Sequence, residues 1–157
     1  MKEQDREDHI ASVGLQMKLV SSYFPRCFKA LESDKYFYIV MEFCDGQCLC
    51  DVLEHRGPFS ESEAAHITAQ IFSALEILHN QGYAHRDVKC DNLILDSQLN
   101  VKLVDLEFAR PVRDGFYDVA GSKSYFAPEI IALPKEGYNE KCDVWSAGVV
   151  LFCLLFN

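Results

Sequence analysis

The sequence has no Cys-x-x-Cys pair, no apolar run near the about 20 residues that a membrane-spanning helix needs, no low-complexity tract and no surplus of positive charge. Each absence removes a class of protein. Seven cysteines are scattered at Cys27, Cys44, Cys48, Cys50, Cys90, Cys142 and Cys153. Their odd number fits no disulfide framework, and only the weak Cys48-Leu49-Cys50 comes near zinc-ligand spacing, so free thiols in a reducing compartment are expected. The most apolar run, Ala147 to Phe156, is too short to cross a bilayer and reads as a buried helix. The charged start, Met1 to Asp8, does not resemble a secretion signal, which leaves the cytoplasm as the expected location and no membrane span. With 15 basic against 24 acidic residues and a net charge of −9, the chain lacks the basic surface of a nucleic-acid binder. Such a balance also repels acidic substrates, although a local cationic cleft can still hold a phosphate.

What is present reads as one soluble globular domain: 157 residues, 49% hydrophobic and 25% charged. Ile10, Val13, Met17 and Val20 recur at three- and four-residue spacing and predict one apolar helical stripe. Tyr36 to Phe43 is dense in aromatic and β-branched residues and runs into Asp45-Gly46, the pattern of a strand and turn. After the break at Gly57-Pro58, Ser60 and Glu63 form a capping-box pattern. Ile67, Ile71, Leu75 and Leu78 then line one helical face until Gly82. Residues 93–95 and 101–104 read as two strands around a polar turn, 107–126 as a surface loop, and the chain from Asn139 onward as helix. That last helix is apolar to its end, which suggests that the layer covering it is not in this sequence.

Asp87, Lys89, Asn92 and Asp105 fall in or beside short loops at strand ends, where functional groups collect. A carboxylate can accept the proton of a substrate hydroxyl, and a lysine can neutralise a transferring phosphoryl group. An asparagine and a second aspartate supply hard oxygen ligands for Mg2+. Any one of these residues alone reads better as an ordinary polar residue of a solvated turn.

Together they form a pattern. His-Arg-Asp-Val-Lys-Cys-Asp-Asn at 85–92, Val-Asp-Leu-Glu at 104–107, Ala-Pro-Glu at 127–129 and Asp-Val-Trp-Ser-Ala-Gly-Val at 143–149 resemble the signature set of eukaryotic-type serine/threonine protein kinases in content, order and spacing. The resemblance covers roughly residues 10–156, with a weaker likeness to the calcium/calmodulin-dependent and AMP-activated group. It implies an α+β, protein-kinase-like fold, truncated: an N-lobe remnant at 1–43, and at 44–157 the mainly helical first half of the C-lobe, ending within the central helix. It implies ATP and Mg2+ as cofactors and proteins as substrates.

By the same resemblance Asp87 is the catalytic base, Lys89 contacts the γ-phosphate, and Asn92 and Asp105 hold the metal. Arg86 is the residue that in relatives pairs with a phosphorylated activation segment, and His85 belongs to an internal apolar spine. Met41 is the gatekeeper of the adenine pocket, or plain core. Glu42 and Cys44 offer backbone hydrogen bonds to adenine, and Ile94 is the floor beneath it. Ser122 is the hydroxyl that bonds the catalytic loop, Ser124 and Tyr117 are candidate phosphosites, and Glu129 closes the activation segment. Asp143 ties down the catalytic loop, caps a helix, or does both.

Departures from the pattern matter as much. Glu107 stands where the family has glycine, so a left-handed residue there is expected to cost roughly 1–2 kcal/mol. Its carboxylate is expected to repel ATP, to add a metal ligand, or to point outward. No glycine-rich loop and no strand lysine precede residue 10, and the partner glutamate falls near Ser12 or Val13, neither of them acidic. The expected function is therefore ATP-dependent phosphoryl transfer to serine or threonine of proteins, weak or lost in this chain alone. The alternative is a pseudokinase or protein-binding module.

Overall fold

The computed structural model describes residues 3–33, 36–113 and 115–156, so Met1 and Lys2 of the charged start lie outside the described residues. The elements run α1 (Glu3–Lys18), β1 (Cys27–Glu32), β2 (Phe37–Met41), β3 (Gln47–Cys48), α2 (Leu49–Arg56), α3 (Glu61–Asn80), β4 (Tyr83–Ala84), β5 (Leu93–Leu95), β6 (Val101–Leu103), β7 (Arg110–Pro111), α4 (Pro128–Ala132) and α5 (Lys141–Phe156). Single 3-10 turns occupy Cys90–Asn92 and Lys123–Tyr125. Helices and three small antiparallel sheets give the α+β class expected from the sequence.

Helix α3 is where sequence and structure agree most closely. Ile67, Ile71, Leu75 and Leu78 are all buried and share one apolar core with Ala147, Val150 and Leu154 of α5. Its start is the capping box: Ser60 Oγ accepts the Glu63 backbone N–H, and the Glu63 carboxylate accepts the Ser60 N–H at 2.9 Å. Those bonds satisfy donors that a helix start leaves unpaired. The Ser60 N–H, with Arg56 beside it, holds the Glu63 carboxyl down at about 2, from 4.5. A depressed carboxylate stabilises the fold above its unfolded pKa, so this contribution is present above about pH 4.5 and fades as pH falls toward 2. Ser60→Ala is expected to lower unfolding free energy by about 1 kcal/mol in a denaturant titration.

Helix α1 departs from its predicted stripe. Ile10, Met17 and Val20 are exposed, and Val20 falls beyond the helix end. The buried face carries Leu15, Gln16 and Leu19 instead. Leu15 and Leu19 are four apart and join Phe24, Leu103 and Leu106 in the main core. The single stripe read from the periodicity was thus the wrong face, because the apolar residues of β6 and the segment after it pack against Leu15 and Leu19.

Strand β2 pairs with β1 in an antiparallel hairpin whose register shifts between Cys27 and Lys29. The mixed pattern of β1 gave no strand signal. The β5–β6 hairpin follows the sequence reading, with Leu93 opposite Leu103 and Leu95 opposite Val101. Its turn is held by Asp96, whose Oδ1 accepts the N–H groups of Gln98 and Asn100, each at 2.8 Å. Strand β3 covers the other edge of β5, and there Gly46 is required by space: a β-carbon would fall 2.7 Å from the Leu95 carbonyl oxygen.

The expected surface loop at 107–126 is partly internal. Arg110 and Pro111 pair with β4, Phe116 bridges to Tyr138, and Ala109 and Phe116 are buried. Outward on α5, Val144, Trp145, Phe152 and Phe156 are exposed, as is Ile131 of α4. Among the described residues no helix is long and apolar enough to cross a membrane, and all seven cysteines are free thiols.

Candidate active site

The loop from His85 to Asn92 lies between β4 and β5, and its conformation is imposed by one buried side chain. Asp143, in the first turn of α5, accepts the His85 N–H on Oδ2 and the Arg86 N–H on Oδ1, both at 2.8 Å. Oδ2 also meets His79 Nε2 at 2.8 Å. Two consecutive amides bound by one carboxylate hold Arg86 in the left-handed region, at φ 68°. The alternative of Asp143 as helix cap is not realised, because Asn139 Oδ1 accepts the Lys141 N–H at the start of α5. His85 is fully buried, and its Nε2 stands 3.2 Å from the Val104 carbonyl. Burial pushes its pKa down, so the imidazole is neutral and serves packing and orientation.

Asp87, Lys89, Asn92 and Ser122 are brought together. Lys89 Nζ lies 2.9 Å from Asp87 Oδ2 and donates to Ser122 Oγ at 2.8 Å. Asn92 Nδ2 donates to the Asp87 carbonyl at 2.9 Å and to Asp87 Oδ2 at 3.1 Å. Burial pushes the Asp87 carboxyl up, but the Lys89 ammonium and the neighbouring Ser122 hydroxyl outweigh it and leave it below the ordinary value. Burial likewise pulls Lys89 down, while its hydrogen bond to Asp87 outweighs that and raises it. Both groups are charged at neutral pH. Asp87 Oδ1 is buried without a hydrogen-bond partner among the described residues. Such an atom is costly unless a ligand satisfies it.

Asp105 and Glu107 line a cavity of about 350 Å³ with Ser12, Val13, Gln16, Ile39, Met41 and Leu106. Met41 is therefore a cavity wall between β2 and α1, with Gln16 Nε2 3.9 Å from its sulfur. Ser12 Oγ donates to the Leu106 carbonyl at 2.7 Å. The strain expected at Glu107 falls elsewhere. Asp105 is the left-handed residue, at φ 63°, and its Oδ1 accepts the Glu107 N–H at 3.1 Å. An aspartate tolerates this conformation because its short side chain bonds the backbone just ahead. Glu107 then sits in an ordinary turn with its side chain exposed.

Other expected site residues are spread more widely. Glu42 turns away from the cavity: its carboxylate pairs with Lys102 Nζ at 3.0 Å and accepts the Arg26 N–H at 3.0 Å. The backbone N–H of Glu42 is committed to the Arg26 carbonyl, so the Glu42 carbonyl is what its backbone retains for a base. Lys102 also donates to the Ser22 carbonyl at 3.1 Å and ties this strand end to the segment after α1. Cys44 and Ile94 are half-buried, and Ile94 stands on β5 opposite Cys48. Ser124 is exposed and Glu129 lies in the first turn of α4, where the helix N-terminus favours a negative charge.

Three contributors went unnoticed in the sequence. Gly121 crosses the catalytic loop at φ 96°, and a β-carbon there would fall 2.2 Å from the Arg86 carbonyl oxygen. Asp118 and Tyr138 both hold the Arg86 side chain. Gly121 was detectable as the glycine preceding Ser122. Nothing local marked Asp118 or Tyr138, because their importance depends on contacts 32 and 52 residues away.

Comparison with known proteins agrees with this geometry. The chain matches the protein kinase domain family along residues 1–157. It is similar to the SNF1-related protein kinase catalytic subunit alpha KIN12 of Arabidopsis thaliana, 36% identical over 87% of this chain and 28% of that protein. It is similar to the carbon catabolite-derepressing protein kinase of Secale cereale, 35% identical over 98% of this chain and 31% of that protein. A third relative is the hormonally up-regulated neu tumor-associated kinase of Homo sapiens, 39% identical over 80% of this chain and 18% of that protein. The chain thus spans less than a third of the length of each. It belongs to the protein kinase family, of the eukaryotic serine/threonine type.

Proposed function

We propose that this chain carries the catalytic centre of an ATP-dependent protein kinase that phosphorylates serine or threonine hydroxyls of protein substrates. The observation that carries this reading is Asp87. Its Oδ2 is met by Lys89 and Asn92, while Oδ1 is buried without a hydrogen-bond partner among the described residues. An ionised carboxylate with one oxygen fixed and the other waiting is suited to orient a hydroxyl and accept its proton. Lys89, charged and 2.9 Å away, suits stabilising negative charge on a phosphoryl group in flight.

The donor set also suits Mg2+. Nδ2 of Asn92 is committed to Asp87, so Oδ1 is the atom left to face a cation, and Asp105 adds a carboxylate. Both are hard oxygen donors, and a bound Mg2+ would supply neutralisation of triphosphate charge. Nucleotide is assigned to the region of Met41, the Glu42 carbonyl, Cys44 and Ile94. Arg86, Ser122, Ser124, Glu107 and Glu129 are assigned to the activation segment and its support, with the lobe boundary at 43/44. The cytoplasm is the compartment proposed, from the free thiols.

Asp87→Asn is expected to lower magnesium-dependent phosphorylation of a generic protein substrate by at least about a hundredfold. The fold should survive, because asparagine keeps the shape and its amide oxygen can still accept from Lys89 and Asn92. Equal turnover by the variant would sink the reading.

A second reading, a pseudokinase that binds proteins, is favoured by one observation. The α1 face toward the cavity offers neutral Ser12 and Gln16 where a charged partner for nucleotide binding is expected, and Glu107 adds negative charge opposite. A thermal shift with ATP and Mg2+ that is lost in Asp105→Ala counts against it; no shift in either protein supports it.

A further inference from the structure

Arg86 presents an arrangement that catalysis itself does not require. Its guanidinium is 4% exposed and is met on every side by this chain. Nε and Nη2 donate to Tyr138 Oη at 3.2 and 2.8 Å, and Nη2 pairs with Asp118 Oδ1. Its flat face lies over the Phe116 ring, 4.5 Å from the centroid. The Tyr138 hydroxyl donates in turn to the Asp118 carbonyl at 2.9 Å, so Arg86, Tyr138 and Asp118 close a ring of bonds. Within this ring Asp118 differs from the rest. Its carboxyl is 65% exposed, so no core packing fixes it. The Arg86 guanidinium pairs with it, and it supplies negative charge to this buried cation.

We propose that Asp118 is a built-in anion that fixes the segment 116–126 over the catalytic loop without any covalent modification. It is a positioning residue. Its effect on catalysis rests on the kinase reading above, whereas its effect on the segment does not. By holding Asp118, Arg86 anchors the stretch that carries Gly121 across the Arg86 carbonyl and delivers Ser122 to Lys89. Arg86 is already neutralised, so a phosphate on Tyr117 or Ser124 would have to displace a carboxylate to reach it.

The test is hydrogen exchange, followed by mass spectrometry, on the full chain. Asp118→Asn removes the charge and keeps the shape at an exposed position, so the fold survives. It should raise exchange across 116–126 about tenfold, the size expected for losing one charge-assisted hydrogen bond, while 61–80 and 141–156 stay as in the wild type. Asp118→Glu should restore much of the protection, which a shape-only role would not allow. Phosphatase treatment should leave the wild type unchanged. Wild-type protection in Asp118→Asn, no rescue by glutamate, or loss of protection after phosphatase would each overturn the proposal. The readout needs no ATP. A chain inert toward substrates but behaving as described refutes the kinase reading alone, and an active chain insensitive to Asp118 refutes this one alone.

Discussion

Gly121→Ala should abolish phosphoryl transfer and destabilise the chain by about 3 kcal/mol or more, among the largest single-site effects in the molecule. Two independent costs meet at this position. The residue sits at φ 96°, outside the range that side chains accept readily, and the new methyl group would stand 2.2 Å from the Arg86 carbonyl oxygen. That neighbour is backbone and cannot rotate away. It also belongs to the loop whose amides Asp143 clamps, so the strain must move either the segment or the catalytic loop. Moving the segment pulls Ser122 from Lys89; moving the loop displaces Asp87. Urea titration read together with a phosphorylation assay decides the matter. A variant with wild-type stability and turnover would mean that the segment does not cross the loop as described.

The second large effect is expected at Asp143. Replacing it with alanine leaves the amides of His85 and Arg86 without acceptors in a site where the carboxylate is 1% exposed. Losing one partner of a buried charged network costs about 3–5 kcal/mol. For a chain of this size each kcal/mol moves the midpoint by about 2–4 °C, so calorimetry should show a drop on the order of 10 °C. Asp143→Asn tests the mechanism more narrowly. The amide can present only one oxygen, so one N–H faces an NH2 group, and the penalty should remain well above that of a surface substitution. The left-handed Arg86 is the reporter, because these two bonds fix the consecutive amides of His85 and Arg86 and help hold a non-glycine residue at φ 68°.

Much of this was legible in the residues. The α3 face, its capping box and the β5–β6 hairpin rest on local chemistry, which needs only neighbours within a few positions. Asp87, Lys89 and Asn92 lie within six residues of one another, and the geometry brings them together as their spacing suggested. The short helix α2 and strand β1 were missed for the converse reason. Eight residues carry two buried leucines in α2, too few to establish a period, and β1 becomes a strand because β2 pairs with it. The position of strain was also misplaced by two residues. The family pattern pointed to Glu107, but the chain makes its left-handed turn at Asp105, where the side chain can bond the backbone.

The sequence by itself determined the family, the grouping of Asp87, Lys89 and Asn92 in one loop and the helix that forms the core, because each is written in short-range order and spacing. Tertiary structure decided which face of α1 is buried, that Glu42 faces Lys102 rather than the cavity, and that Arg86 is neutralised by Asp118. Those outcomes depend on which distant segments meet, and a charge or an apolar side chain carries no label for its partner until the chain has folded.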